Sequence, residues 1–297
     1  MLGTLYLFGN RYRPPYIARA GKFGMFCAGV ALMVLGRRAR GRLVYGAHVQ
    51  RDDASEGATR GSGRMLRLTS RIRILVLDRL REKVLNQHWR EQACRQEFFY
   101  NAFKALTFNG IDGDYAEFGC GSGMSFAMAY HESRRHGHQA KLWAFDSFQG
   151  LPASGDERDQ HPMWQEGNMT TSLDRFHGNC ALNGIPREAY KVVQGFYEHT
   201  LTARSPDAEP RNIALAYVDC DLYSSAKTAL QFLEPRLKHG MIVAFDDYFC
   251  WSASQIAGER RAMLEVLAHH SRWALVPFFP FGWHGNSFVV EDRRIVG

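Results

Sequence analysis

The stretch that decides the fold is Asp114-Tyr115-Ala116-Glu117-Phe118-Gly119-Cys120-Gly121-Ser122-Gly123. Its first half, Tyr115–Phe118, reads as a short strand of aromatic and apolar residues. Its second half carries glycine at every other position and opens Ser122–His136, whose apolar residues recur at helical spacing. Glycines there let the backbone turn sharply and approach a ligand closely, and the start of a helix offers unpaired N–H groups. A dinucleotide fingerprint needs a further glycine at the sixth position, but counted from Gly119 that position is Met124. The spacing suits instead a nucleotide-type ligand with a carboxylate and an amine beside the loop and no pyrophosphate, which argues against a dehydrogenase.

Downstream the pattern repeats. Leu142–Phe145, Tyr190–Val193, Ile213–Val218 and Met241–Phe245 are compact strand-like runs, separated by amphipathic stretches at Ser172–Asn183, Ser224–Leu237 and Ser252–His270. Short apolar strands alternating with helices predict a parallel sheet covered on both faces. Trp273–Phe279 and Ser287–Val290 look like an antiparallel hairpin at its edge. The fold class is therefore α/β: a doubly wound, mostly parallel, seven-stranded, Rossmann-like sheet. Upstream, apolar residues at helical spacing from Ile72 to Leu85, and again from Phe98 to Leu106, predict two helices forming a cap, with a polar interval around His88–Arg95 between them. Gln50–Thr69 is rich in Asp, Ser, Gly and Arg and reads as a linker. Three parts result: an extension and linker over 1–69, a helical cap over 70–107 and a main domain over 108–297.

Acids stand at the strand tips. Asp146 ends the second strand, where an acid can accept two hydrogen bonds from a ribose diol, and Glu117 has a choice between a ligand amine and capping the helix at Ser122. Ile213–Val218 runs into Asp219-Cys220-Asp221-Leu222-Tyr223, and Met241–Phe245 into Asp246-Asp247-Tyr248. The carboxyl ends of parallel strands line one crevice, so Asp219, Asp246 and Asp247 are expected to converge there. Three carboxylates together repel unless a positive charge separates them, and Mg²⁺ suits an all-oxygen set. Such an ion binds a substrate hydroxyl and lowers its pKa. His161, in the loop 153–170, is a candidate second proton acceptor, but a loop histidine without a known partner is more often a bystander than a base.

The motifs Gly113–Gly119, Phe145–Pro152, Gly195-Phe196-Tyr197, Val218–Tyr223 and Phe245–Tyr248 together resemble the macrocin O-methyltransferase family over roughly 108–290. That resemblance implies a class I methyltransferase fold, S-adenosylmethionine as cofactor, Mg²⁺, and methylation of sugar hydroxyls on natural products. It assigns the methionine moiety to Glu117, Gly119 and Gly121, the ribose to Asp146 and the adenine to the neighbourhood of Gly195 and Phe196. It makes Asp219, Asp246 and Asp247 metal ligands, with Asp219 also the acceptor of the substrate proton. Two departures stand out. Cys120-Gly121-Ser122 replaces a bulkier glycine loop, and Leu222 occupies the position where catechol-type relatives carry a lysine, so no lysine base is assigned.

Composition bounds the rest. The 297 residues are 45% apolar and 23% charged, which excludes a disordered tail, a coiled coil or a disulfide-stapled mini-protein. The net charge of +7 is not spread evenly: residues 1–75 carry +11 and the remainder −4. An RNA methyltransferase using the basic end is the rival reading. Against it, the catalytic part is acidic and the fourth strand is followed by Asp219-Cys220-Asp221-Leu222, where base-methylating enzymes carry an Asn/Asp-Pro-Pro-aromatic motif. Six dispersed cysteines without a CxxC pair read as free thiols in a reducing cytoplasm. The apolar run Phe23–Leu35 has 13 residues, short of the roughly 20 that span a bilayer. Residues 1–45 read either as a poorly ordered extension or as a peripheral membrane contact. The expected partners are thus a small-molecule hydroxyl acceptor, a sugar or a phenol, and a second copy of the chain.

Overall fold

The computed structural model describes residues 88–201 and 209–296. The extension and linker over 1–69, the first predicted cap helix and the membrane-contact segment lie outside them. Among the described residues no helix is long and apolar enough to cross a membrane.

Seven strands form one sheet in the order β3-β2-β1-β4-β5-β7-β6. The first five in that order are parallel: β1 (Asp114–Phe118), β2 (Leu142–Asp146), β3 (Tyr190–Gln194), β4 (Ile213–Val218) and β5 (Ile242–Phe245). β7 (Asn286–Asp292) runs antiparallel to β5 and carries β6 (Trp273–Pro277) on its outer side. The expected hairpin is present, with its second strand inserted next to β5 and its first forming the edge. Chain order reverses between β1 and β4, and such a switch point opens a crevice at the carboxyl ends of the strands. Register places those ends level, because Phe118 pairs with both Phe145 and Val218, and Val218 with Phe245.

Alternation along the strands builds a core on each face. Ala116 and Phe118 point to one side, with Phe145, Val218 and Phe245, beneath α5 (Tyr223–Leu233) and α6 (Gly258–Val266). Tyr115 and Tyr217 point to the other, beneath α2 (Met124–Arg135), α3 (Leu173–Leu182) and the helical segment 88–108, here α1. A one-turn α4 (Tyr197–Thr200) follows β3, and a one-turn α7 (Arg293–Val296) follows β7. Phe98, Phe99 and Phe103 of α1 are fully buried, and Phe98 stacks on Phe281 at 4.6 Å.

Two of the predicted boundaries moved for a visible reason. The polar interval 88–95 is helical and continuous with 98–108, because its polar residues have partners off the helix: Glu91 accepts from Trp283, and Arg95 binds Asp246. The last long helix begins at Gly258 rather than Ser252. There the Ser252 hydroxyl accepts from the Ser254 and Gln255 amides and holds a turn in competition with helix.

Candidate functional site

The glycine loop is shaped by its neighbours. The Asp219 and Asp246 amides donate to the last carbonyls of the adjacent strands, Phe118 and Val218, and the Gly119 amide to Phe145 of β2, carrying the ladder one step past β1, β4 and β5. β1 and β4 leave so little room that a Cβ on Gly119, whose φ is +89°, would lie 1.7 Å from the Asp219 carbonyl oxygen. Gly121, at φ +46°, has nothing within 4 Å of where a Cβ would be and faces open space. α2 then starts at a left-handed Gly123 with no side-chain cap, leaving its first amides available. Asp146 braces this loop: Oδ2 accepts from the amides of Cys120 at 2.7 Å and Gly121 at 2.9 Å, and Oδ1 from Phe148 at 2.6 Å.

A cavity of about 330 Å³ lies over the loop, walled by Gly119–Ser122, Asp146, Phe196, Asp219 and Asp221, and rimmed by His88, Gln92 and Arg95 of α1. A second cavity of about 830 Å³ shares Leu151 and Pro152 with the first and is lined by Gln160, His161, Trp164, Ser252 and Ser254. His161 packs on Trp164 with ring centroids 4.0 Å apart. The loop between is pinned to the helices behind it. The Arg158 guanidinium lies 4.0 Å over the Tyr223 ring and donates to its hydroxyl, and Asp159 accepts from the Ser224 amide, capping α5 from outside.

Behind the smaller cavity the acids form a network. Arg95 grips Asp246 with both edges of its fork, Nε to Oδ1 at 2.8 Å and Nη2 to Oδ2 at 2.5 Å, while the Tyr217 hydroxyl donates to Oδ1. Burial opposes ionisation of Asp246, but Arg95 and His284 overcome it and hold the carboxyl below the usual carboxylate range. The others go the opposite way. Burial, with the charges of Asp246 and Asp247, pushes Asp219 well up; burial, with Asp221 and Asp246, does the same to Asp247. Asp221, at φ +61°, is pushed up to about 7 by burial and by Asp219, against a hydrogen bond shared with Asp247. The wholly buried Glu259 accepts from the Cys220 amide at 3.0 Å and the Asp247 amide at 2.9 Å, tying the two acidic turns together.

The family model described as macrocin O-methyltransferase (TylF) matches residues 92–266, which contain the glycine loop, Asp146 and both acidic turns of this crevice. The chain belongs to the macrocin O-methyltransferase family. It is similar to the 8-demethyl-8-(2,3-dimethoxy-alpha-L-rhamnosyl)-tetracenomycin-C 4'-O-methyltransferase of Streptomyces olivaceus, 32% identical over 148 residues, 47% of this chain and 54% of that protein. It is also similar to the demethyldecarbamoylnovobiocin O-methyltransferase of Streptomyces niveus, 27% identical over 165 residues, 53% of this chain and 62% of that protein. These matches span less than two thirds of either relative. Among solved structures, the calicheamicin methyltransferase CalS11 shares the fold, with a TM-score of 0.54 at 22% identity over 80% of this chain and 99% of that one.

Within this macrocin O-methyltransferase crevice the predicted residues fall into two groups. Gly119, Gly121, Asp146, Phe196 and Asp219 line the smaller cavity; Gly195 lies one residue off its wall. Glu117 is not on it: the side chain is wholly buried, accepting from the Tyr115 hydroxyl at 2.5 Å and the Ser125 hydroxyl at 2.6 Å. Its alternation with Phe118 turns it into the α1–α2 core. Asp246 and Asp247 stand behind the wall, and the expected Mg²⁺ does not fit them as arranged. Both Asp246 oxygens are taken by Arg95, and among the described residues no group of three or more His, Cys, Asp or Glu side chains is arranged to hold a metal ion. Sequence reasoning missed Arg95, Tyr217 and Glu259 and left Asp221 without a role. Asp221 alone carried a signal, as the second acid of the strand-tip motif Asp219-Cys220-Asp221.

Proposed function

We propose that the chain is an S-adenosylmethionine-dependent O-methyltransferase that methylates a hydroxyl of a sugar or another small natural-product acceptor. The observation that carries this is the pair of adjoining cavities at the switch point: one shaped by a glycine loop, a free helix start and Asp146, the other large enough for an acceptor beside it. The donors and acceptors present suit the cofactor. Open space at Gly121 and the uncapped amides of α2 suit its carboxylate end, and Asp146, bracing the loop with three of its lone pairs, keeps one on Oδ1 for a ribose hydroxyl. When bound, the cofactor supplies an electrophilic methyl group on sulfonium.

The chain's own residues then position and deprotonate. The loop clamped by Arg158 and Asp159 fixes the acceptor wall, and in-line geometry is the main catalytic contribution. Asp219 and Asp221 are the two acids on the cavity wall; Asp219, pushed well up by burial and its acidic neighbours, holds its proton and orients the acceptor hydroxyl, so proton acceptance falls to Asp221. Asp221, with its carboxyl near 7, is the partner poised to ionise at neutral pH. Titration with the cofactor by calorimetry, followed by methyl transfer to a panel of glycosides and phenols, tests the reading. Asp219→Ala should abolish turnover, by about a hundredfold or more, with cofactor affinity nearly unchanged. Absence of cofactor binding by the intact chain would overturn the assignment.

A further inference from the structure

We propose that Arg95 is the resident cation of the acidic crevice, a positioning residue whose guanidinium takes the place on Asp246 that a divalent ion was expected to take. The inference rests on the reading of this crevice as the methyl-transfer site, and it adds a residue from α1 to that machinery. The grip is two-pronged, at 2.8 and 2.5 Å, and enclosed: the side chains of Arg95 and Asp246 are 17% and 4% exposed. A planar fork matched to both carboxylate oxygens fixes orientation as well as charge, which a point charge does not. The remaining approaches are also occupied. Tyr217 donates to Oδ1, and the His284 ring lies 3.5 Å from Oδ2.

A hard divalent ion needs several oxygens at about 2.0–2.1 Å in near-octahedral array. To reach Asp246 it would have to share the carboxylate with a half-buried guanidinium or expel it. Expulsion is opposed by the element that carries Arg95, because Phe98 and Phe99, one turn on, are fully buried against Tyr217. The same helix rims the smaller cavity through His88 and Gln92. Arg95 therefore does two things with one contact: it neutralises and orients Asp246, and it holds α1 at the mouth of the crevice.

Manganese binding by the full chain tests this, read by electron paramagnetic resonance together with melting temperature in EDTA and in Mg²⁺. The native protein is expected to leave Mn²⁺ free and to melt at the same temperature in both buffers. Arg95→Gln, which frees Asp246, should bind Mn²⁺ at least about tenfold more tightly and gain a Mg²⁺-dependent rise in melting temperature, whereas Arg95→Lys, which keeps the charge, should gain neither. Stoichiometric Mn²⁺ binding by the native chain would overturn the proposal, as would unchanged Mn²⁺ affinity in a folded Arg95→Gln. The native measurement decides alone if that variant does not fold. The metal readout is independent of turnover, so failure to methylate or to bind the cofactor would count against the functional reading and leave this one standing.

Discussion

At the scale of single residues the crevice depends on two glycines with different reasons for being glycine. Gly119 sits at φ +89° with the Asp219 carbonyl in the way of any side chain; Gly121 sits at φ +46° with open space above it. Gly119→Ala should cost about 2–4 kcal/mol in denaturant unfolding and weaken cofactor binding, because backbone must move. Gly121→Ala pays only for its backbone conformation, about 1 kcal/mol, and should affect cofactor affinity more than stability. Spacing in the sequence revealed a glycine loop but could not separate these roles, since the obstruction at Gly119 comes from a strand a hundred residues later. Glu117 shows the same limit. A charge beside a ligand loop invites a ligand role, and only the face onto which β1 turns it shows that Tyr115 and Ser125 hold it.

Secondary elements were the most legible level, for a physical reason: buried parallel strands are short, apolar and punctuated, so β1 to β5 announce themselves. Helix ends were less so. Ser252–Ala257 has helical periodicity but spends its serine hydroxyl on a turn, and 88–95 looks like a break because its polar residues find partners on other elements. α1 is the element whose importance was least visible. Its aromatic face meets Tyr217 and Phe281, which lie more than a hundred residues away in sequence. Phe98→Ala should destabilise the fold by about 3–5 kcal/mol in urea unfolding, the range for a fully buried ring. Equal unfolding midpoints for variant and native chains would show that α1 docks without that ring.

For the molecule as a whole, buried acids set the response to pH. Glu117 is pushed up to about 8, chiefly by burial and despite two hydroxyl donors, and burial also raises Asp219, Asp247 and Glu259. For Glu117, from its ordinary value of 4.5 to about 8, the unfolded chain has released a proton that the folded chain keeps. Its contribution is complete below 4.5 and is lost as pH rises through that window, at up to about 1.4 kcal/mol per unit. Glu117→Gln should therefore lose less stability than the native chain between pH 5 and pH 8, by denaturant titration at each pH; parallel curves would refute the assignment. Long-range pairing also has a consequence for how the crevice comes to exist. Glu259 supplies the acceptor for two amides on turns made earlier, at Cys220 and Asp247, and His284 contacts the Asp246 carbonyl at 2.8 Å from later still. During synthesis, a nascent chain that has emerged as far as the Asp246-Asp247 turn after β5 has every strand-tip acid and the guanidinium that grips Asp246, yet two amides still await an acceptor. The site is thus assembled late, after its chemistry has already been translated, and its closure is paced by the arrival of α6 and of the turn before β7.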